Sequence, residues 1–412
     1  MISFLVFALL QVQLPAFLKE DPDRAGVNTH PYEFHEIVDT PAPKGYKPVY
    51  ISHYGRHGSR SDWGAKNYTY VIDILEKAEA QGLLTPEGDT LLNAARTVLD
   101  VHHGADGHLT GLGELEHRRL ASRMYDRYPE VFKKGCGHIR VESSTVHRCL
   151  VSMADFTGEL VRRQPGLDFK IDSDEIIMQH INNGCSPEHH KRSAVLLDSL
   201  RRSVHVDTVS IMKTLFVDPV AARALAGDLD RLQAKIWSVA RIARSSGIDI
   251  DLYSYLPDDV VLKWWDYYNR ELYIRHGNSV EFGEERMALA ESMVRDIVAK
   301  ADEILETGAY AADLKFGHDY PILALAGFLD LEGVGERMTF DEIPVRWTDP
   351  MNVPFAANMQ LVFYRSRKSP EVLVKCVYGD KERRISDLSP VSGPYYRWND
   401  VKAFIESRMS GK

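Results

Sequence analysis

The 412-residue sequence predicts an α/β fold: a Rossmann-like, mixed and mainly parallel sheet with flanking helices and an inserted, mostly helical cap. Two observations support this prediction. Short runs rich in β-branched and aromatic residues end in polar loops that lead into helical patterns, which is typical of parallel strands joined by helices. Between residues 164 and 307 the pattern changes, because helical spacing of apolar residues dominates and strand signals are few.

Three apolar runs are predicted to be buried strands. Residues 48–52 (PVYIS) precede a loop with two glycines, and residues 139–141 precede a serine-containing loop that ends at Arg148. Residues 314–316 (LKF) are followed by a glycine and then by His318. Open α/β sheets bind their ligands where strands run into glycine-containing loops, so the loop after residue 52 is the first candidate for a site.

Helical spacing and turn signals predict further elements. Apolar residues recur at helical spacing over residues 112–132, and Thr110 is placed to cap that helix. Residues 359–364 and 372–378 are rich in β-forming residues and flank a turn-prone stretch. The second pattern predicts a hairpin near one edge of the sheet.

The chain is longer than one typical domain, which predicts more than one part. We assign residues 30–163 and 308–412 to the α/β core and residues 164–307 to the helical cap insertion. Residues 1–18 hold an apolar run followed by charged residues, which predicts a signal peptide and a periplasmic or secreted protein. A buried N-terminal segment is the alternative. No later stretch is apolar enough to cross a bilayer, so we expect no stable membrane insertion of the mature chain.

Charge and cysteine usage restrict the partners. The net charge of -9 disfavours a nucleic-acid partner, although a few convergent arginines could still form one positive pocket. The expected partner is therefore a small anionic substrate, and the chain is expected to be a monomer. Zinc is disfavoured because no C-x-x-C pair occurs, and neither a metal nor a cofactor is expected. The four cysteines could form two disulfides, in any of three pairings, or could remain free thiols. They are Cys136, Cys149, Cys185 and Cys376.

The sequence RHGSR at residues 56–60 is the strongest candidate for a functional site. Two guanidinium groups can pair with phosphate oxygens and stay charged at any physiological pH. A neutral imidazole at His57 can act as a nucleophile near neutral pH, and Gly58 lets backbone approach it closely. These residue types predict a phosphate pocket in which Arg56 and Arg60 supply the charge.

A second Arg-His-Gly triplet shows how weak the short pattern is by itself. Arg275, His276 and Gly277 lack the later arginine, follow an aromatic helical stretch and lie within the predicted cap. We therefore predict a structural role for them. His53 and His147 lie near the candidate loops and are also predicted to be structural.

Four motifs in order resemble the histidine acid phosphatase branch of the histidine phosphatase superfamily, which holds acid phosphatases, phytases and multiple inositol polyphosphate phosphatases. RHGSR matches an Arg-His-Gly-x-Arg strand end, and residues 109–113 (LTGLG) match a Leu-Thr-x-x-Gly element. Residues 148–156 (RCLVSMADF) match Arg-Cys-x-x-Ser-x-x-x-Phe, and His318 with Asp319 matches a late His-Asp element. The resemblance extends over roughly residues 49–378, and four ordered motifs are far more specific than one.

The resemblance implies a phosphomonoester hydrolase that works through a covalent phosphohistidine. By that resemblance His57 is the nucleophile, Asp319 protonates the leaving alkoxide, and His318 donates a hydrogen bond to the transferring phosphoryl group. The phosphate-binding residues that it implies are Arg56, Arg60, Arg148 and His318.

The expected substrates are inositol polyphosphates such as phytate. A broad-specificity acid phosphatase for sugar phosphates is the alternative, followed by a phosphoglycerate-mutase-like phosphotransferase and by a phosphosugar-binding protein without turnover. Many relatives carry proline two residues after the second arginine of the first motif, whereas this chain has Asp62 followed by Trp63. That departure bears on substrate preference. Basic residues that could meet additional phosphates are Lys44, Lys66, His189, His190, Lys191 and Arg192.

Overall fold

A mixed eight-stranded sheet forms the centre of the molecule. The computed structural model describes residues 14–182, 184–203 and 208–409. The strands are β1 (Tyr46–Arg56), β2 (His138–Ser143), β3 (Asp168–Asp172), β4 (Ala312–Gly317), β5 (Asn358–Ser366), β6 (Ser369–Tyr378), β7 (Lys381–Arg383) and β8 (Tyr396–Arg397). Their order is β3-β2-β4-β1-β5-β6-β7, and β8 pairs with β6.

The sheet has a parallel half and an antiparallel half. Strands β3, β2, β4 and β1 pair in parallel, whereas β5 runs antiparallel to β1 and continues through β6 to β7 and β8. The predicted fold class is therefore confirmed, as is the hairpin, which β5 and β6 form.

Strand β1 is longer than the sequence predicts. It does not end at residue 52, because His53 and Tyr54 pair with both neighbouring strands and Arg56 still pairs with β4. The loop after β1, called the His57 loop below, therefore begins at His57 and not at His53. Pairing on both sides holds the last residues before the loop in a fixed position.

Helices cover both faces of the sheet. They are α1 (Ala16–Glu20), α2 (Lys66–Glu79), α3 (Pro86–His102), α4 (Gly111–Arg127), α5 (Pro129–Lys134), α6 (His147–Arg163), α7 (Glu175–Ile181), α8 (Pro187–Ser203), α9 (Thr208–Leu215), α10 (Pro219–Ala226), α11 (Leu229–Ala243), α12 (Asp258–His276), α13 (Gly283–Thr307), α14 (Asp319–Phe328), α15 (Ile343–Arg346) and α16 (Trp398–Ser407). Short 3₁₀ segments occupy Pro22–Thr29, Arg244–Ser246, Tyr253–Tyr255 and Pro350–Asn352.

The helix predicted over residues 112–132 forms as two helices. Helix α4 ends at Arg127, and α5 begins at Pro129, whose missing N–H cannot continue the hydrogen-bond ladder. The predicted cap is confirmed, since the hydroxyl of Thr110 accepts the N–H of Gly113 at 3.3 Å.

The segment predicted to be a helical cap also contains a strand. Residues 168–172 form β3, which pairs in parallel with β2, so continuous helical structure starts at Glu175. The five residues of β3 are too short a run for periodicity to separate from a helix turn. Helices α7 to α13 then fill the rest of the segment.

Alternate side chains of the sheet point into two apolar clusters. Tyr50, Tyr54 and Phe363 belong to a cluster shared with the inserted helices α11, α12 and α13. Ile51 and Val362 belong to a second cluster, shared with α4 and α6. This alternation is the expected consequence of the two-residue period of a strand, and it explains why β1 is buried on both faces.

Most of the predicted signal peptide, residues 1–13, lies outside the described residues. Among those that follow, Leu18 is buried and Phe17 packs on Trp265 with ring centroids 5.3 Å apart. Within the described ranges, no helix is both long enough and apolar enough to traverse a bilayer. All four cysteines are free thiols.

Candidate active site

The carboxyl ends of the parallel strands meet at one edge of the sheet. The register pairs Arg56 of β1 with Gly317 of β4, and Ser143 of β2 with Phe316 of β4. The residues that follow the strands are therefore brought to the same edge, as the rule for open α/β sheets predicts. They are His57, Ser144 and His318.

His57 is buried and held in one orientation. Its backbone N–H donates to the carbonyl of Gly317 at 2.9 Å, and its Nδ1 lies 2.9 Å from the carbonyl oxygen of Gly58. A carbonyl can only accept, so Nδ1 carries the proton and Nε2 keeps a free electron pair. Burial, together with the charge of Arg56, holds the pKa of His57 well below its usual range. Both effects favour the neutral form of the imidazole.

Two glycines allow the His57 loop to lie against the start of α4. A Cβ added to Gly58 would come within 2.5 Å of the carbonyl oxygen of Gly113, and one added to Gly113 would come within 2.2 Å of the carbonyl oxygen of Ser59. The motifs at residues 56–60 and 109–113 thus form one contact in which neither glycine can carry a side chain.

Arg56 is almost completely buried beneath the site. Its Nη1 donates to the carbonyls of Asn28 at 2.5 Å and Val353 at 2.9 Å, and its Nη2 forms a 3.0 Å salt bridge with Asp319. The guanidinium lies 4.7 Å from the ring centroid of Phe355. These contacts fix its plane, which is the condition for paired hydrogen bonds to a phosphate.

Arg60 and Arg148 complete a group of three buried guanidinium groups. Arg60 donates to the carbonyl of Ser61 at 2.7 Å, while Arg148, in the first turn of α6, lies 3.3 Å from Nδ1 of His318. Both lie over the ring of Trp63. Burial and the repulsion of the other two guanidinium groups lower the pKa of Arg60 to about 9. The site therefore favours an anion.

His318 lies beside both His57 and Arg148. Its ring centroid is 5.6 Å from that of His57, and Tyr320 stacks on it at 5.3 Å with an interplanar angle of 5°. Its Nε2 is 3.3 Å from the hydroxyl of Ser144. Burial and the charge of Arg148 lower the pKa of His318 to about 3, so this imidazole is also neutral. Because a guanidinium can only donate, Nδ1 of His318 accepts from Arg148 in the free site.

Asp319 begins α14 and faces Arg56. Its Oδ2 accepts a hydrogen bond from the side-chain amide of Asn28 at 2.8 Å, in addition to the salt bridge with Arg56. Burial alone would raise the pKa of Asp319, but the charge of Arg56 and the Asn28 hydrogen bond more than offset burial and keep the pKa below its usual value. The carboxyl is therefore ionised in the free site.

Several further residues support the site, and most of them carry no sequence signal. Glu116 of α4 is buried and accepts from the N–H of Ser59 at 2.7 Å and from the N–H of Tyr32 at 2.9 Å. The hydroxyl of Ser152 accepts the N–H of Gly58 at 3.1 Å. They hold the backbone of the His57 loop, as Asn28 and Phe355 hold Arg56. Ser152 is the serine of the motif at residues 148–156, whereas only their position in the fold identifies Glu116, Asn28 and Phe355.

The other histidines named above lie outside this group. His53 is buried on β1 and stacks on Phe156 at 5.3 Å, and His147 stacks on His108 at 4.4 Å. His276 of the second triplet is close behind the site, with its ring 5.6 Å from that of Tyr320. None of the three has a hydrogen bond to the three arginines among the described contacts.

A pocket of about 280 Å³ opens beside Arg60. Helix α11 contributes Lys235 and Arg241 to its lining, and α2 contributes Asn67. The basic residues predicted to meet additional phosphates are not part of this lining; Arg192, for example, pairs with Glu285. Larger cavities lie at the opposite end of the sheet and contain none of the predicted site residues.

One group of side chains has the composition of a metal site. Ligand atoms of Asp21, His30 and Glu33 lie within 4.8 Å of one another. Both carboxylates are already paired, however, because Arg24 binds Glu33 at 2.8 Å and Arg244 binds Asp21 at 3.0 Å. The cluster is accounted for as an ion-pair network, and the absence of a metal from the reaction stays a prediction.

Comparison with solved structures identifies the fold. No family model matches the chain, and a search of curated proteins finds no match. The multiple inositol polyphosphate phosphatase of Bifidobacterium longum, in complex with inositol hexasulfate, superposes with a TM-score of 0.74 at 16% identity over 93% of this chain and 97% of that one. The phytase from D. castellii gives 0.69 at 16% identity over 95% and 86%. The Hafnia alvei phytase in complex with tartrate gives 0.56 at 11% identity over 90% and 98%.

This chain has the fold of the inositol polyphosphate phosphatases and phytases. The resemblance drawn from the four motifs is confirmed at the level of fold. In this fold the motifs, which are spread over more than 250 residues, converge on one edge of the sheet.

Proposed function

We propose that this protein hydrolyses phosphomonoesters through a covalent phosphohistidine on Nε2 of His57. The observation that carries the proposal is the convergence of three buried guanidinium groups on a neutral imidazole whose Nδ1 is held by the Gly58 carbonyl. An imidazole in this state needs no base to attack phosphorus.

The three arginines bind the phosphate group and neutralise the transition state. Within the described ranges, the single salt bridge that reaches Arg56, Arg60 or Arg148 is the one to Asp319. The three guanidinium groups and the Asp319 carboxylate therefore carry a net positive charge, which a phosphate dianion can neutralise. Preorganised donors of this kind stabilise a transferring phosphoryl group without rearranging during the reaction.

His318 donates a hydrogen bond to the phosphoryl oxygens, and Asp319 supplies a proton to the leaving group. A bound phosphate accepts hydrogen bonds from Arg148 in place of His318, and its negative charge raises the pKa of both neighbours. Nδ1 of His318 can then carry a proton and donate to a phosphoryl oxygen. Asp319, once its pair with Arg56 is shared with phosphate, can hold the proton that the leaving oxygen requires.

The two chemical steps balance on these residues. In the first, the Nε2–phosphorus bond forms at His57, the ester oxygen–phosphorus bond breaks, and the leaving oxygen takes the proton of Asp319. In the second, water attacks phosphorus, the nitrogen–phosphorus bond breaks, and the Asp319 carboxylate accepts a proton of the water. No metal or cofactor takes part in either step.

Inositol polyphosphates such as phytate are the substrates that we propose. The pocket beside Arg60 carries further cations from Lys235 and Arg241 and is lined by the hydroxyl-bearing Thr29 and Ser238. Phosphates other than the one being cleaved can bind there. The Bifidobacterium longum enzyme, whose fold this chain shares, forms a complex with inositol hexasulfate, which supports this choice of substrate. A broad-specificity acid phosphatase would not require this pocket.

The decisive experiment compares wild-type protein with His57→Ala on phytate and on an aryl phosphate at pH about 4 to 6. We expect His57→Ala to lose several orders of magnitude in kcat on both substrates. His147→Ala is the matched control, because this exposed histidine lies next to Arg148 and has no contact with His57. Equal turnover by wild type and His57→Ala would overturn the mechanism. Phosphate exchange between glycerate positions would instead identify a mutase.

Three further proposals concern the whole chain. We propose that the N-terminal apolar run directs export to the periplasm or the exterior, that residues 164–307 act as a cap over the site, and that the protein is a monomer. Lys235 and Arg241 support the second, because both come from that segment. N-terminal sequencing of the exported protein and light scattering test the first and third.

A further inference from the structure

Trp63 is a large apolar side chain that the core does not use. Its exposed fraction is 63%, yet its ring lies under two of the three phosphate-binding arginines. The guanidinium carbons of Arg60 and Arg148 are 4.2 Å and 4.6 Å from the ring centroid. Both distances are well within the range in which an aromatic ring attracts a cation.

The loop that carries Trp63 is fixed by its neighbour Asp62. One carboxylate oxygen accepts the N–H of Trp63 at 2.8 Å, and the other accepts the side-chain amide of Asn67 at 2.6 Å. The backbone carbonyl of Asp62 accepts the N–H of Gly107 at 2.8 Å. A Cβ on Gly107 would lie only 3.3 Å from the indole, so the ring also packs against this backbone. The ring is therefore positioned before any substrate arrives.

This arrangement also explains the departure from the related motif at position 62. An acidic residue beside an anion pocket would repel the substrate if it faced the phosphate. Here the carboxylate of Asp62 accepts hydrogen bonds from Trp63 and Asn67. Asn67 in turn accepts a hydrogen bond from Lys235 at 2.5 Å. The carboxylate thus anchors the loop and does not need an arginine partner.

From this geometry we propose that Trp63 is a positioning residue of the phosphate site, whose ring holds Arg60 and Arg148 in the orientation that binds phosphate. The proposal rests on the phosphatase function proposed above. Three guanidinium groups close together repel one another while the site is empty. The negative face of an indole offsets part of that repulsion without occupying the place of the phosphate.

The test compares Trp63→Leu, which keeps bulk but removes the aromatic face, with Trp63→Phe, which keeps an aromatic face. For a small aryl phosphate we expect KM to rise about tenfold in Trp63→Leu, because two cation–aromatic contacts are lost. We expect kcat to remain within about twofold, and KM of Trp63→Phe to stay within about threefold of wild type. Phe340→Leu is the matched control: its ring lies 4.6 Å from Arg270, away from the site, and the change should leave KM unaltered.

Calorimetric titration with inorganic phosphate separates this proposal from the proposed function, because it needs no turnover. Weaker phosphate binding in Trp63→Leu with recovery in Trp63→Phe supports the positioning role even if the wild type hydrolyses no ester. Equal affinity in all three proteins would overturn it. A fall in kcat at constant KM, or an equal loss in the Leu and Phe variants, would also overturn it.

Discussion

Asp319→Asn tests whether Asp319 supplies the proton that the leaving oxygen requires. The free carboxylate accepts from Arg56 at 3.0 Å and from Asn28 at 2.8 Å, and its pKa lies below the usual value. It is therefore ionised before substrate binds. A phosphate monoanion can bring the missing proton, since its second pKa is about 6. We expect kcat/KM on an alkyl phosphate to fall as the pH rises above about 6, where the substrate loses that proton.

The size of the effect depends on the leaving group. Loss of a general acid costs about 10²- to 10⁴-fold in rate, or roughly 3–5 kcal/mol of transition-state stabilisation. Asp319→Asn should show this loss on phytate, whose alkoxide is a poor leaving group. On an activated aryl phosphate, whose leaving oxygen needs little protonation, the loss should be below about tenfold. Phosphate should bind more tightly to the variant, because Arg56 no longer shares its charge with a carboxylate.

The assay measures kcat and KM on phytate and on the aryl ester between pH 3 and 8. Asp155→Asn is the matched control: the Asp155 side chain is 17% exposed, as is that of Asp319, and is paired with Arg118 at 2.6 Å. Asp155→Asn should leave the ratio of kcat/KM on phytate to kcat/KM on the aryl ester unchanged. An equal loss on both substrates in Asp319→Asn would refute the assignment of the proton donor.

Three further predictions concern the pocket, the core and the loop. Lys235→Met should raise KM for phytate about tenfold and leave the aryl phosphate unaffected, as steady-state kinetics would show; a uniform effect would contradict the role of the pocket. Burial and the nearby His117 lower the pKa of His53 to about 3. Stability from its neutral form is complete above the unfolded pKa of about 6.5 and is lost as the pH falls toward 3, so His53→Leu should reduce the drop in melting temperature between pH 7 and 4. Glu116→Gln should lower the free energy of unfolding by about 1–3 kcal/mol in denaturant titrations, because an amide cannot accept at both positions; unchanged stability would exclude this role.

The sequence predicts the part of the site that lies at strand ends. Parallel strands end at a common edge, so a strand followed by His57 and another followed by His318 must deliver both imidazoles to one place. Arg148 follows from the same rule, because β2 leads into α6. The fold class and the hairpin could also be predicted from the sequence, because each depends on local periodicity.

The rest of the site depends on contacts that local patterns do not encode. Asn28 meets Asp319 across 291 residues, and Lys235 meets Asn67 across 168. Helix α11 shows only its own amphipathic spacing in the sequence, which gives no sign that its polar side lines a pocket. The short strand β3 was missed because five residues lie below the length at which a strand and a helix turn differ in pattern.

The contact between Gly58 and Gly113 makes two distant motifs interdependent. A methyl group at position 113 would collide with the backbone of Ser59, so either the His57 loop or the start of α4 would have to move. Under the proposed mechanism, such a substitution would shift the attacking nitrogen without ever touching substrate. Any redesign that moves α4 must therefore move the His57 loop with it, and changes to the pocket have more freedom on α11 than on the helix that begins at Gly111.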